Sequence, residues 1–340
     1  MKRLAAAAVV AALSGIAGTS LAQDKVVELK MSHWVPPAHA MHKTAQSWIE
    51  SIDKASKGTI KIALYPAQQL GKAPDHYDMA LKGIADISYV NVGYQAGRML
   101  IANAGQFPFL MSNAEGGSRA YDEWYRPYAA KDMPGVKMCL MFIHDPGALH
   151  SKVRISHPDQ IKGMKIRPAQ VVISDWMKQL GATTVNVSAP ESREALERGV
   201  ADAITFPWMS IYLFGIDKVT KSHIDASMYT TGFAWILNQD KYNAMSAAQK
   251  KVIDDHCNGD WAQRYGKEWG DYEFAGRAKT REDKGHTVVT LTPAELAAWK
   301  KSAEPVVKAW ADEARKAGYD PDKVLGDLNK TLEKYKAKAQ

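Results

Sequence analysis

The stretch that most constrains the fold runs from Ile161 to Phe214: IKGMKIRPAQVVISDWMKQLGATTVNVSAPESREALERGVADAITFPWMSIYLF. It opens with a short strand, Met164 to Arg167, which Pro168 interrupts. Proline removes a ladder donor and biases the preceding residue to extended backbone, so Arg167 sits at a strand end. Val172, Ile173, Trp176, Met177 and Leu180 then recur at helical spacing until Gly181 stops the run. Thr183–Val187 reads as a second strand. Ser188-Ala189-Pro190-Glu191 has the pattern of a capping box, opening a helix that Gly199 closes. Ala201–Thr205 is a third strand, running into Phe206-Pro207-Trp208. Strand–helix alternation of this length predicts parallel pairing, and such sheets bind ligands beyond the carboxyl ends of their strands. An arginine and two aromatic rings, Phe206 and Trp208, thus reach one cleft edge.

Upstream, Val26–His33 reads as a strand that turns at Trp34-Val35-Pro36-Pro37, and His39 to Ala55 as a helix. Thr59–Tyr65 alternates as a second strand. Tyr77–Lys82 is helical, and Ala85–Val90 is a strand leading to Asn91 and Tyr94. Ala80–Asp86 (ALKGIAD) echoes Ala195–Asp202 (ALERGVAD) with one residue inserted. Both copies end a helix at glycine, start a strand and deliver aromatic or amide side chains to a loop: Tyr89, Asn91 and Tyr94 in one, Phe206 and Trp208 in the other. Two similar α/β lobes are the natural reading. Val136–Ile143 is apolar throughout and predicts a strand buried on both faces. It leads through residues 145–150 into the second lobe, and Tyr229–Leu237, which holds Trp235, returns. Paired crossings make a hinge. Ser246 caps one long helix reaching about Lys279, with a solvated polar face, and the chain ends in a lysine-rich tail expected to fray.

The first 22 residues form a unit apart. Lys2 and Arg3 precede an apolar run, and Ser20-Leu21-Ala22 is a small-x-small cleavage pattern, as in a Sec-type secretory signal. The run is short and rich in Ala and Gly for a membrane anchor, and no later stretch is apolar enough to cross a bilayer. Cleavage would remove two of the seven excess positive charges. The remainder is spread along the chain, which suits small anions and argues against nucleic acid. A chain of 340 residues with 46% hydrophobic content supports two lobes with real cores. Cys139 and Cys257 could pair in an oxidising compartment. The reading adopted here is two buried, unpaired thiols.

Arg167 is the foremost candidate for chemistry, because a strand-end guanidinium holds a carboxylate with two parallel hydrogen bonds. Trp34, Tyr89, Phe206 and Trp208 are candidate walls of an apolar cavity, with Trp235, Asn91 and Tyr94 beside them. His33, His39 and His42 are the one tight histidine cluster. Without a carboxylate at ligand spacing it does not read as a metal site, and His33 or His39 is better cast as a hydrogen-bond donor to an anion. No nucleophile elbow, dinucleotide fingerprint or phosphate loop is present, and no cofactor is called for.

IKGMKIRP followed by ALERGVAD, together with LKGIAD, FPFL (Phe107–Leu110) and WILNQDKY (Trp235–Tyr242), resembles the periplasmic solute-binding proteins of tripartite ATP-independent (TRAP) transporters. The resemblance implies a two-lobed α/β clamp with hinge strands and a long helix spanning both lobes. It also implies a carboxylate paired with Arg167, and docking on membrane permease subunits. With the crossings above, lobe I would hold residues 23–146 plus about 236–275, and lobe II residues 147–235 plus about 276–310, with C-terminal helices over 311–340. The chain departs from the sialic-acid type at Phe206 (in place of an Asn) and at Ala189 (in place of a ring). The second arginine seen in many members is missing near Gly147–His150. One cation and apolar walls suit a monocarboxylate, aromatic or branched, of benzoate, mandelate or hydroxycinnamate type. An exported hydrolase or isomerase, or a receptor-linked sensor, on the same scaffold is the alternative.

Overall fold

The computed structural model describes residues 24–95 and 97–339, so the secretory signal expected over residues 1–22 lies outside the described residues. The strands are β1 (Val27–Ser32), β2 (Ile60–Tyr65), β3 (Ile87–Asn91), β4 (Val136–Ile143), β5 (Ala148–Ser151), β6 (Lys165–Arg167), β7 (Thr183–Thr184), β8 (Ala203–Phe206), β9 (Ser222–Ile224), β10 (Gly232–Asn238) and β11 (Thr287–Val289). They form a five-stranded sheet, β2-β1-β3-β10-β4, and a six-stranded sheet, β11-β9-β5-β8-β6-β7. The molecule has the two-lobed α/β architecture that the alternation predicted. β1 is parallel to β2 and β3, and β6 is parallel to β7 and β8.

The antiparallel strands mark the crossings. The chain leaves the first sheet after β4 and enters the second as β5, which runs antiparallel to β8 and β9. It returns as β10, antiparallel to β3 and β4. The two crossings lie side by side, bridged where Gly147 N–H donates to the Tyr229 carbonyl at 2.9 Å and Met228 N–H to that of Gly147 at 3.1 Å. All of β10 belongs to the first sheet, so the return begins at Gly232 rather than near residue 236. β5 and β9 are too short to show in the sequence pattern.

The long helix expected from Ser246 is two. Ala247–His256 ends at Cys257, and Asn258 caps Gly259–Glu282 by accepting from the N–H groups of Asp260 and Trp261. The break coincides with a tether, because Cys139 in β4 and Cys257 form a disulfide. The expectation of unpaired thiols is overturned. Sequence separation of 118 residues hid a Cα–Cα distance of 4.5 Å, which only the packing of the helix on β4 creates. Helix Gly259–Glu282 buries Ala262, Tyr265, Gly266, Trp269, Glu273, Gly276 and Thr280, a stripe at three- and four-residue spacing. A Cβ on Gly266 would stand 2.3 Å from the Ala114 carbonyl of helix Ala114–Asp132, and one on Gly276 would stand 2.2 Å from the Met209 nitrogen after β8. One helix thus lies against both lobes, closest where it has no side chain.

The C-terminal helices Pro293–Ser302, Glu304–Lys316 and Pro321–Lys334 pack on both lobes through indole donors. Trp299 donates to the Ser156 carbonyl at 2.8 Å, Trp310 to that of Leu100 at 2.8 Å, and Trp124 to that of Val324 at 3.0 Å. The tail that was expected to fray is docked instead. Ala337 is buried, and its carbonyl accepts from Ser112 N–H at 2.8 Å.

Candidate functional site

A partly open cavity lies between the sheets, lined from both. β6 and β8 of the second sheet end at it. β6 stops at Arg167 because Pro168 has no N–H for the ladder. Thr205 in β8 accepts from Ala169 N–H through its hydroxyl at 2.8 Å and holds the chain beyond the proline. Arg167 is 1% exposed. Its Nε donates to the Val187 carbonyl at 3.0 Å, and its Nη2 to the Tyr94 hydroxyl at 2.9 Å. Nη1 lies 3.5 Å from the Thr205 carbonyl, a long contact. The Phe206 ring faces the guanidinium at 5.5 Å.

No carboxylate among the described residues pairs with Arg167, and it is the one Lys or Arg in the cavity lining. A buried charge without a counter-charge is costly, and the cost is relieved when an anion enters. Tyr94 sharpens the arrangement. It comes from the loop after β3, and its oxygen accepts from Arg167 and also from Ala189 N–H at 2.9 Å. With two donors on its oxygen, its own proton is left for a third partner.

The rest of the lining is largely aromatic: Trp34, Phe206, Phe214, Tyr229, Phe233 and Trp269. His39 and His144 stand edge-on to Trp269 at 5.0 and 5.6 Å. Burial pushes His39 down to about 3, helped by His144, and His144 down to about 4. Hydrogen bonds set the tautomers of both. His39 Nδ1 accepts from Met41 N–H at 3.1 Å, which leaves the proton on Nε2. His144 Nε2 accepts from Thr231 N–H at 3.1 Å while Nδ1 faces the Asp145 carbonyl at 2.5 Å. Behind Ser210, the fully buried Glu273 accepts from Ser210 Oγ, Trp269 Nε1 and the N–H groups of Met209 and Ser210. Burial pushes its carboxyl up to about 7 against those four bonds.

Of the residues singled out in the sequence, Arg167, Phe206, Trp34, His39, Asn91 and Tyr94 line the cavity. Four others do not, each for a geometric reason. His33 points away from Trp34 by strand alternation, and its Nε2 meets His42 Nδ1 at 2.8 Å. Tyr89 lies behind the wall, 5.2 Å from both Trp34 and Phe233. Trp235 shares the Phe233 face of β10 two residues deeper and is paired with Tyr89. Trp208 follows Pro207, where β8 has already ended, and packs edge-on against His150 at 5.2 Å. Sequence reasoning missed His144, Tyr229, Thr231, Phe233 and Trp269. The last sits on the long helix of which only the solvated polar face was read, and its four-residue spacing from both Tyr265 and Glu273 was the available signal.

Residues 31–313 match the family of bacterial extracellular solute-binding proteins, family 7 (DctP). The chain belongs to this family. Solved TRAP solute-binding proteins share its fold over nearly the whole chain. One from a marine metagenome, specific for aromatic acid ligands and crystallised with 3-hydroxybenzoate, is 33% identical, covering 92% of this chain and 99% of that one with a TM-score of 0.85. One from Rhodoferax ferrireducens T118 with copurified benzoate is 27% identical, covering 92% and 99% with a TM-score of 0.86. One from Bordetella bronchiseptica with bound mandelate is 27% identical, covering 91% and 99% with a TM-score of 0.85. This is a TRAP transporter solute-binding protein of the DctP family, a family of periplasmic transport proteins rather than enzymes. Among its described residues no helix is long and apolar enough to cross a membrane, and no cluster of His, Cys, Asp or Glu could hold a metal ion.

Proposed function

We propose that this DctP-family protein captures an organic monocarboxylate with an aromatic body between its lobes in the periplasm and delivers it to the TRAP permease subunits in the membrane. The observation that carries the reading is the buried, carboxylate-free guanidinium of Arg167 in the lining of an aromatic-walled cavity. Arg167 supplies the charge and Tyr94 a hydroxyl proton to the same carboxylate. Phe206, Phe214, Trp34, Phe233 and Trp269 receive the ring. A second carboxylate would find no second cation in the lining. The ligands of the three similar structures, all aromatic monocarboxylates, support the same class. The crossings at 144–147 and 225–231 serve as the hinge, and Tyr94 joins the lobes when closed.

Calorimetry on the ligand-stripped protein tests this directly. Benzoate-type acids bind at one per chain and are recovered unchanged, while succinate, malate and sugar acids bind weakly or not at all. Arg167→Lys loses most of the affinity, because a point charge cannot supply the planar pair of donors. Tight binding of a dicarboxylate, or an Arg167→Lys variant that binds as the parent does, would sink the proposal.

A further inference from the structure

Arg167 and Tyr94 account for the carboxylate; the wall supplied by the first sheet and its crossing carries polar atoms with no such role. Trp34 Nε1 and Thr231 Oγ1 are buried and without a hydrogen-bond partner among the described residues. Trp34 is 4% exposed and Thr231 1%, and both line the cavity. Asn91 uses its Oδ1 to accept from Gly93 N–H at 2.9 Å, so what it can offer the cavity is its amide N–H groups. His39 presents an Nε2–H, because its Nδ1 is occupied by Met41 N–H. His144 offers nothing further, since both of its nitrogens are engaged.

A buried donor without a partner is costly unless something in the cavity meets it. Their chemistry also says what can meet them. Trp34, Asn91 and His39 donate, and Thr231 both donates and accepts, so the complement is an oxygen that accepts hydrogen bonds. None of the four is charged, and burial holds His39 and His144 neutral. A second carboxylate on this wall would be desolvated without a counter-charge.

We infer that the bound acid carries an uncharged oxygen, hydroxyl or carbonyl, on the part of its body facing Trp34, His39, Asn91 and Thr231. The ligand class is then a hydroxylated or oxo-substituted aromatic monocarboxylate, distinct from a plain hydrocarbon acid and from a dianion. This rests on Arg167 holding the carboxylate as proposed above.

The test is a calorimetric series on the ligand-stripped protein, using benzoate, its three monohydroxy isomers, the matching methylbenzoates and the benzenedicarboxylates. At least one hydroxy isomer binds about tenfold or more tighter than both benzoate and the methyl acid of the same shape, since a site built around a hydroxyl rejects its apolar isostere. Thr231→Val, nearly isosteric, shrinks that ratio, and so does His39→Asn, which keeps an acceptor for Met41 N–H but removes the Nε2 donor. Methyl acids binding as well as hydroxy acids, a ratio that survives both substitutions, or a dicarboxylate binding tightest would each overturn the inference. Failure of every aromatic monocarboxylate to bind would instead overturn the reading of the Arg167 pocket itself.

Discussion

Arg126 and Arg167 are two guanidinium groups set against β-sheets with opposite electrostatic surroundings. At the back of the first sheet, Arg126 grips Asp122 with Nε and Nη2 at 2.8 and 2.9 Å and donates to the Cys139 carbonyl at 3.1 Å. Asp122 is 1% exposed and also accepts from Met141 N–H at 2.9 Å. Cys139 is in turn tied to Cys257. Every strong group in that region has a partner within the chain, and the region holds β4 to two helices. Arg167 is as deeply buried as Asp122, whereas the Arg126 side chain is 36% exposed, and Arg167 has only neutral partners: a carbonyl, a phenol and a long contact. Burial alone therefore does not mark a site in this protein. Burial without a counter-charge does.

Substitutions can break that contrast, and the largest effect belongs to the cavity. Arg167→Ala is expected to weaken aromatic-acid binding by about 3 kcal/mol or more, because the ligand carboxylate is left buried and unpaired. The unliganded variant should be no less stable, since an unmatched charge has gone. Calorimetric binding and thermal unfolding together check this, and a stability loss with unchanged affinity would reverse the contrast. Removing the tether by Cys139→Ser with Cys257→Ser should cost about 2–4 kcal/mol of unfolding free energy, because the unfolded chain regains the freedom of a long loop. Denaturant titration measures it, and ligand affinity should hold. Asp122→Ala should cost about 2–3 kcal/mol of stability by orphaning Met141 N–H and a partly exposed Arg126, again with little change in binding. An affinity loss as large as that of Arg167→Ala would show that the two regions are one.

A gentler test uses pH. Desolvation holds six buried histidines below their ordinary value of 6.5: His76, His144 and His150 at about 4, His33 and His39 at about 3, His223 at about 2. Because the folded values are depressed, the unfolded chain takes up protons first as the solution is acidified. The stability they contribute is complete above about pH 6.5 and drains as pH falls towards the folded values. The slope is about 1.4 kcal/mol per pH unit for each histidine kept neutral. Glu273 works in the opposite sense. Its folded value is raised, so its contribution is full below 4.5 and lost as pH rises through about 7. Burial likewise raises Asp145, to about 6, and Asp122 and Asp132. With six histidines against four carboxyls, unfolding temperature should fall from pH 6.5 to pH 4, and a flat profile would mean that the histidines are not held neutral.

Much of this architecture was legible in the chain before folding was considered. Pro168 after Arg167, the glycine stops at Gly83, Gly181 and Gly199, and the capping box at Ser188 are local instructions that act through a few neighbouring residues. They set the alternation of strands and helices, the two lobes, and the arrival of Arg167 and Phe206 at one edge. Tertiary structure decided what no local rule can reach. It brought Cys139 and Cys257 together, split the long helix at Asn258, and turned Trp269 and Glu273 inward from a helix that reads as polar. It also chose among the aromatic rings, seating Trp34 and Phe206 on the cavity while Tyr89, Trp208 and Trp235 went into the core. Strand alternation settles only which face a side chain takes. How deep it lies, and what stands opposite, depend on the packing of two sheets joined by two crossings.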